Sequence, residues 1–119
     1  FFVNFDILSN QTFPVTGFDI IVSNPPYVTE KEKQLMQPNV LEDEPHEALF
    51  VPDNDPLKFY RAIVEKSAVL LKIGGDVYFE INEMFGDDVR KLLESNNFTA
   101  EIVKDINGKD RIVIGHKNQ

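Results

Sequence analysis

Cysteine is absent from these 119 residues, which excludes a disulfide framework, a thiolate nucleophile and a cysteine-based zinc site. Histidine is scarce: His46 and His116 are the two present. Neither has a second histidine at ligand spacing, so no metal site is expected. Basic charge is also short, with 12 Lys and Arg against 20 Asp and Glu, a net charge of −8. That balance is a poor match to a phosphate backbone, which must be neutralised by Lys and Arg, so nucleic acid is disfavoured as a partner. No apolar run approaches the roughly 20 residues that span a bilayer, and no basic segment followed by an apolar stretch opens the chain. A soluble, cytoplasmic protein is expected. The 42% hydrophobic content supports one modest core, hence a single domain or a piece of one.

The chain opens abruptly, with apolar positions at once in Phe2-Val3-Asn4-Phe5-Asp6-Ile7-Leu8 and no initiating Met. We expect a strand already under way, in a piece of a longer protein. Phe18-Asp19-Ile20-Ile21-Val22-Ser23 is a β-branched run that predicts a strand buried on both faces of a parallel sheet. It stops at Asn24-Pro25-Pro26-Tyr27, where two prolines remove two backbone donors and restrict the preceding residue. Residues 28–53 are polar and acidic, broken by Pro38, Pro45 and Pro52, and predict a long functional loop with at most a short helix over 30–37.

Asp55 then reads as an N-cap with Pro56 at the first helical position, and Leu57, Tyr60, Ile63, Val64, Ala68 and Leu71 share one helical face. Gly74-Gly75 is expected to close that helix, and Val77 to Ile81 to form the next strand. A second helix is predicted from about Gly86 to Ser95, with Val89, Leu92 and Leu93 inward and Asn96-Asn97 ending it. Phe98 to Ile106 and Arg111 to Ile114 read as strands joined across Asn107-Gly108. The architecture implied is α/β, with parallel strands, right-handed crossovers and a terminal antiparallel hairpin.

The chemistry is concentrated in Asn24-Pro25-Pro26-Tyr27, directly after a strand, because ligands of open α/β sheets bind outside the carboxyl ends of strands. An amide nitrogen is planar and weakly nucleophilic, so an enzyme that alkylates it must hold its two N–H groups and aim it. The Asn24 side-chain oxygen and the Pro25 carbonyl can accept one N–H each, and as acceptors they stabilise positive charge developing on nitrogen. Pro26 stiffens the turn, and the Tyr27 ring can lie against a flat acceptor group. As a bare tetrapeptide the same residues also make an ordinary loop exit.

The run Phe18 to Val28, with Glu44-Pro45-His46-Glu47-Ala48-Leu49 and Gly108-Lys109-Asp110-Arg111, resembles the release factor glutamine methyltransferases, and the resemblance covers essentially the whole chain. It implies the C-terminal part, from the third strand onward, of the Rossmann-like seven-stranded class I methyltransferase sheet. The implied activity is S-adenosyl-L-methionine-dependent methylation of the side-chain nitrogen of the glutamine in the Gly-Gly-Gln motif of peptide-chain release factors. The resemblance makes Asn24 and Pro25 the amide clamp, with Pro26 and Tyr27 beside them, and Glu44 and Pro45 part of the peptide-binding wall. Asp6 matches an acidic position that contacts the cofactor's adenine amino group, and Asn24 borders the cofactor too. The family's glycine-rich cofactor loop and its ribose-binding acid do not occur in these residues, nor does any N-terminal recognition domain, so the chain alone is expected to be inactive.

Simpler readings stand beside these. Asp6 can close a turn at a strand end, Glu44 can be one solvated charge in an acidic run, and Arg111 can be a solvated strand-edge cation or meet an acidic partner. Tyr60 and Tyr78 are expected to pack. The Asn-Pro-Pro-Tyr signature is shared with DNA adenine-N6 and cytosine-N4 methyltransferases, and a non-catalytic peptide-binding remnant is the third possibility. An open sheet edge could drive self-association.

Overall fold

The computed structural model describes residues 3–26 and 55–119, together with the backbone of 28–29 and 50–51. The strands are β1 (Phe18–Ser23), β2 (Val28–Thr29), β3 (Phe50–Val51), β4 (Leu71–Glu80), β5 (Phe98–Lys104) and β6 (Asp110–Lys117), and the helices are α1 (Lys58–Leu70) and α2 (Gly86–Glu94). Four strands form one sheet in the order β1-β4-β6-β5, and β2 pairs with β3 separately. β1 runs parallel to β4, with Ile21 beside Val77 and Ser23 beside Phe79. β4 and β6 are antiparallel, as are β6 and β5. The α/β class and the terminal antiparallel hairpin are therefore as read from the sequence. The hairpin turn places Gly108 at φ 79°, a conformation that a Cβ would strain.

The alternation of β4 sorts its side chains. Val77 and Phe79 are fully buried under the helices, and Tyr60 of α1 packs edge-on against Phe79 at 5.5 Å between ring centroids. Tyr60, Ile63 and Val64 of α1 and Val89 and Leu93 of α2 complete the core with Phe98 and Val113. Each such side chain contributes about 1.5–3 kcal/mol when taken fully from water, so the helix-covered face of the sheet holds the fold together.

Several expectations are corrected. β1 is not buried on both faces: Ile20 is 57% and Val22 76% exposed, since among the described residues the helices pack on one side of the sheet. Residues 3–8 form no strand; they lead into a turn at Asp6 to Ser9, and no described strand lies beside them to satisfy a ladder. Gly74-Gly75 does not close α1, which stops at Leu70 with Leu71 already extended. The pair lies inside β4, with Gly74 at φ 89°, near the point where the β1–β4 register shifts. There Gly75 approaches the Asp19 carbonyl so closely that a Cβ would sit 3.0 Å from it. Asp55 does not cap α1 through its side chain: the N-cap is Leu57, without a side-chain hydrogen bond. The Asp55 carboxylate instead accepts from Arg61 at 2.6 and 3.1 Å, a charge-assisted pair the cap would have had to forgo. The predicted 28–53 loop acquires strand pairing at its ends, Val28 with Phe50 and Thr29 with Val51.

Candidate functional site

β1 ends at Ser23 beside Phe79, so Asn24, Pro25 and Pro26 leave the sheet at the carboxyl edge of its parallel pair. Pro25 is buried, Pro26 half-buried and Asn24 exposed. The prolines anchor the turn in the protein and leave the asparagine amide accessible. A cleft of about 500 Å³ opens here, bounded by Ile7, Ile21, Val22, Pro25, Phe59 and Ile63 with Asn24 at its polar rim. An apolar cleft with an exposed asparagine at its rim suits a ligand that is flat and largely apolar and carries N–H donors at one end.

The segment carrying Asp6 is fastened to α1. Lys66 donates to the Ser9 carbonyl at 2.8 Å and stands 5.4 Å over the Phe5 ring. Phe5, Phe13 and Phe18 follow in an edge-to-face series at 5.3 and 6.0 Å. The Asp6 side chain accepts the Leu8 N–H at 2.9 Å, which is the turn-closing arrangement weighed for it. That bond uses one carboxylate oxygen on an exposed residue, and Ile7 next to it lines the cleft. Ile7, next to Asp6, and the Asn24-Pro25-Pro26 turn thus line the same depression from two segments. Tyr27, Glu44, Pro45 and His46 lie outside the described residues.

Phe59 and Ile63, one helical turn apart on α1, form the cleft wall facing the prolines. Ile63 was read from the sequence only as core, and Phe59 was not singled out. Its four-residue spacing from Ile63 was the available signal, but nothing in the sequence sets α1 against the turn. Tyr60 packs as expected, and its hydroxyl donates to the Glu80 carbonyl at 2.9 Å. Arg111 meets an acid, with Asp105 at 3.2 Å. The Asp105 carboxyl is held below its ordinary value of 3.8 by the Lys109 N–H, then by the Asn107 N–H and the Arg111 guanidinium. His116 sits 2.6 Å from Asp76 on the sheet face away from the helices. No cluster of three potential metal ligands occurs among the described residues, and no described helix is long and apolar enough to cross a membrane.

Residues 3–110 match the family model described as Eco57I restriction-modification methylase. The chain is 51% identical over 113 residues to the release factor glutamine methyltransferase of Bacteroides thetaiotaomicron, covering 94% of this chain and 41% of the relative. It is 54% identical over 97 residues to the namesake of Flavobacterium psychrophilum, covering 81% and 34%. The crystal structure of a protein-(glutamine-N5) methyltransferase (release factor-specific) from Alicyclobacillus acidocaldarius superposes with a TM-score of 0.54 at 24% identity, over 87% of this chain and 50% of that one; this likeness bears on the fold. The chain belongs to the methylase family, and the likeness to release factor glutamine methyltransferases read from its motifs is met by these relatives. It spans well under half the length of the two curated relatives.

Proposed function

We propose that the protein to which this chain contributes transfers a methyl group from S-adenosyl-L-methionine to the side-chain nitrogen of the glutamine in the Gly-Gly-Gln motif of peptide-chain release factors. The observation that carries the reading is the Asn24-Pro25-Pro26 turn at the carboxyl edge of the β1–β4 pair, opening on an apolar cleft, in a chain whose relatives bear that name. In this reading residues 1–119 are the C-terminal part of the catalytic domain.

The Asn24 Oδ1 and the Pro25 carbonyl each accept one N–H of the substrate amide, fixing its plane and directing its nitrogen. As the nitrogen gains positive charge these same oxygens stabilise it, preorganised because the prolines fix the turn. The resemblance in sequence assigns Tyr27 to the amide face and Glu44 and Pro45 to the peptide path, all three outside the described residues. Asp6, with one carboxylate oxygen engaged by Leu8 N–H, keeps the other for an exocyclic amine of the cofactor, and Ile7 and Phe59 flank an apolar ring. These residues fit one side of the cofactor, whose chemistry is an electrophilic methyl on a sulfonium. The glycine-rich loop that would hold its other side does not occur in the sequence. Calorimetric titration of this chain should therefore show no micromolar binding of S-adenosyl-L-methionine; micromolar affinity would overturn that assignment of parts.

The family model's name, a restriction-modification methylase, keeps DNA amines as the rival substrate. Incubating the full-length enzyme with labelled cofactor and either a release factor or duplex DNA decides between them. Label in the release factor glutamine is expected, and label in DNA alone would refute the proposal.

A further inference from the structure

An asparagine side chain can react with its own backbone: the peptide nitrogen that follows it closes a five-membered ring on the side-chain carbonyl carbon. A Cβ on the following residue hinders that approach, and glycine has none. Asn107-Gly108 is the only asparagine–glycine pair in these 119 residues. The clamp asparagine is exempt, because Asn24 is followed by Pro25, whose nitrogen has no hydrogen to give up.

The structure assigns Asn107 as a site of spontaneous deamidation, gated by Asp105. The inference is independent of the methyl-transfer reading. Asn107 and Gly108 are both exposed in the turn between β5 and β6, and no heavy atom stands within 4 Å of the place a Gly108 Cβ would take. Solvent base and water therefore reach the pair freely. No hydrogen bond to the Asn107 side-chain amide occurs among the described residues; the turn uses its backbone N–H instead. In the reaction Gly108 N loses its proton to solvent base and bonds to Asn107 Cγ, the Cγ–Nδ2 bond breaks, and the nitrogen leaves as ammonia. Water then opens the ring at either carbonyl, giving aspartate, or isoaspartate with the main chain rerouted through the side chain.

The folded turn opposes the first step. The reacting nitrogen donates its N–H to the Asp105 carbonyl at 3.0 Å. The Asp105 carboxylate accepts the Asn107 N–H at 2.8 Å and the Lys109 N–H at 3.1 Å, and the Asp105 N–H donates to the Lys109 carbonyl at 2.8 Å. A nitrogen committed as a donor keeps its proton, and a turn tied on both sides resists the rotation that ring closure requires, so reaction proceeds through local opening. Conversion in turn loosens the hairpin. Aspartate at 107 puts a second carboxylate in the turn that Asp105 holds, and isoaspartate lengthens the main chain between the two N–H groups that the Asp105 carboxylate accepts.

The test uses the full-length protein, incubated at neutral pH and followed by peptide mapping in a mass spectrometer. Among the asparagines of residues 1–119, Asn107 is expected to convert first in the native protein, at about one tenth of its rate in urea, since a hydrogen bond of the gating kind shifts a local equilibrium by about tenfold. Folded Asp105→Ala should convert faster than native wild type by a similar factor, and Asn24 should remain unconverted even in urea. Native conversion led by another of these asparagines, none at Asn107 while the urea sample converts, equal rates in native protein and urea, or an Asp105→Ala rate equal to wild type would overturn the inference. Should Asp105→Ala fail to fold, Asp105→Asn decides, because it keeps an acceptor oxygen without the charge: a native rate above wild type supports the gate, and an unchanged rate overturns it. Converted protein, separated by its added charge, should unfold at a lower urea midpoint; an equal midpoint overturns the loosening of the hairpin.

Discussion

Gly115→Ala should destabilise the fold through a single methyl group. Gly115 lies on β6 between Val77 of β4 and Ala100 of β5, on the face under α2. A Cβ there would stand 2.6 Å from Leu93 Cδ2, 3.1 Å from Leu93 Cδ1 and 3.1 Å from Val77 Cγ1. Carbon atoms pack best at about 3.5–4.0 Å, so the closest contact is roughly 1 Å too short. Leu93 and Val77 are both fully buried, leaving Leu93 to rotate against its neighbours or α2 to lift from the sheet. Overpacking of this kind costs about 1–3 kcal/mol, and the reduced freedom of the unfolded alanine-bearing chain returns about 0.4–1 kcal/mol. A net loss of about 1–2 kcal/mol should appear in urea unfolding as a lower midpoint with unchanged slope. Leu93→Ala alone should cost about 2–5 kcal/mol. The double variant should cost less than the sum, because the methyl added at position 115 enters space vacated by Leu93. Stability equal to wild type in Gly115→Ala, or strict additivity in the double variant, would refute the packing argument.

Asn24→Ala in the full-length enzyme should lower turnover about 10²-fold or more, as loss of a preorganised polar contact to the reacting group does, while isothermal titration shows near-wild-type cofactor affinity; unchanged turnover removes Asn24 from the mechanism. Tyr60→Phe keeps the ring contact with Phe79 and deletes the bond to the Glu80 carbonyl, so thermal unfolding should report a loss of about 1–2 kcal/mol. Asp105→Asn should matter above the ordinary carboxyl value of 3.8 and not far below it. The folded carboxyl is depressed by the Lys109 and Asn107 N–H groups and Arg111, so its contribution is present above the unfolded pKa and lost as pH falls through the folded one. Stability curves of wild type and variant should converge on acidification, and a constant gap would contradict this origin.

Legibility from sequence followed locality. The hairpin around Asn107-Gly108 and the end of α2 at Asn96-Asn97 were readable because turn chemistry is encoded in adjacent residues; Asn97 indeed takes φ 67°. The end of α1 was misread because Gly74-Gly75 looks the same whether it closes a helix or allows β4 to pass the Asp19 carbonyl, and only the β1–β4 pairing distinguishes the two. Asp55 was misread for a similar reason, since its ion pair with Arg61 competes with capping and composition does not rank them. The Asn24-Pro25-Pro26 turn was legible as the exit from a strand at its carboxyl end. The wall beside it was not: Phe59 acquires meaning only when α1 is set beside the turn.

Substrate class cannot be decided by the clamp itself, because two acceptor oxygens hold any planar NH₂, whether it belongs to a glutamine or to a base. It must be decided by what surrounds the clamp. A nucleic acid would bring a phosphate every few ångströms and would need cations near the carboxyl edge of the sheet. Among the described residues, four cations near that edge face acids: Lys109 meets Glu83 at 3.5 Å, Arg111 meets Asp105 at 3.2 Å, Lys104 meets Asp110 at 2.6 Å and Arg61 meets Asp55 at 2.6 Å, while Lys58 stands 5.9 Å over the Phe59 ring. Exposed pairs of this kind are each worth only about 0–1 kcal/mol, so a phosphate could displace an acid at small local cost. It would then leave that acid unpaired in a chain of net charge −8, within a Debye length of about 8 Å at physiological salt. A peptide loop of glycines and glutamine carries no such charge and brings N–H donors that the carboxylates at this edge can accept. Among the described residues, the charge around the turn is thus in keeping with the protein amide proposed above.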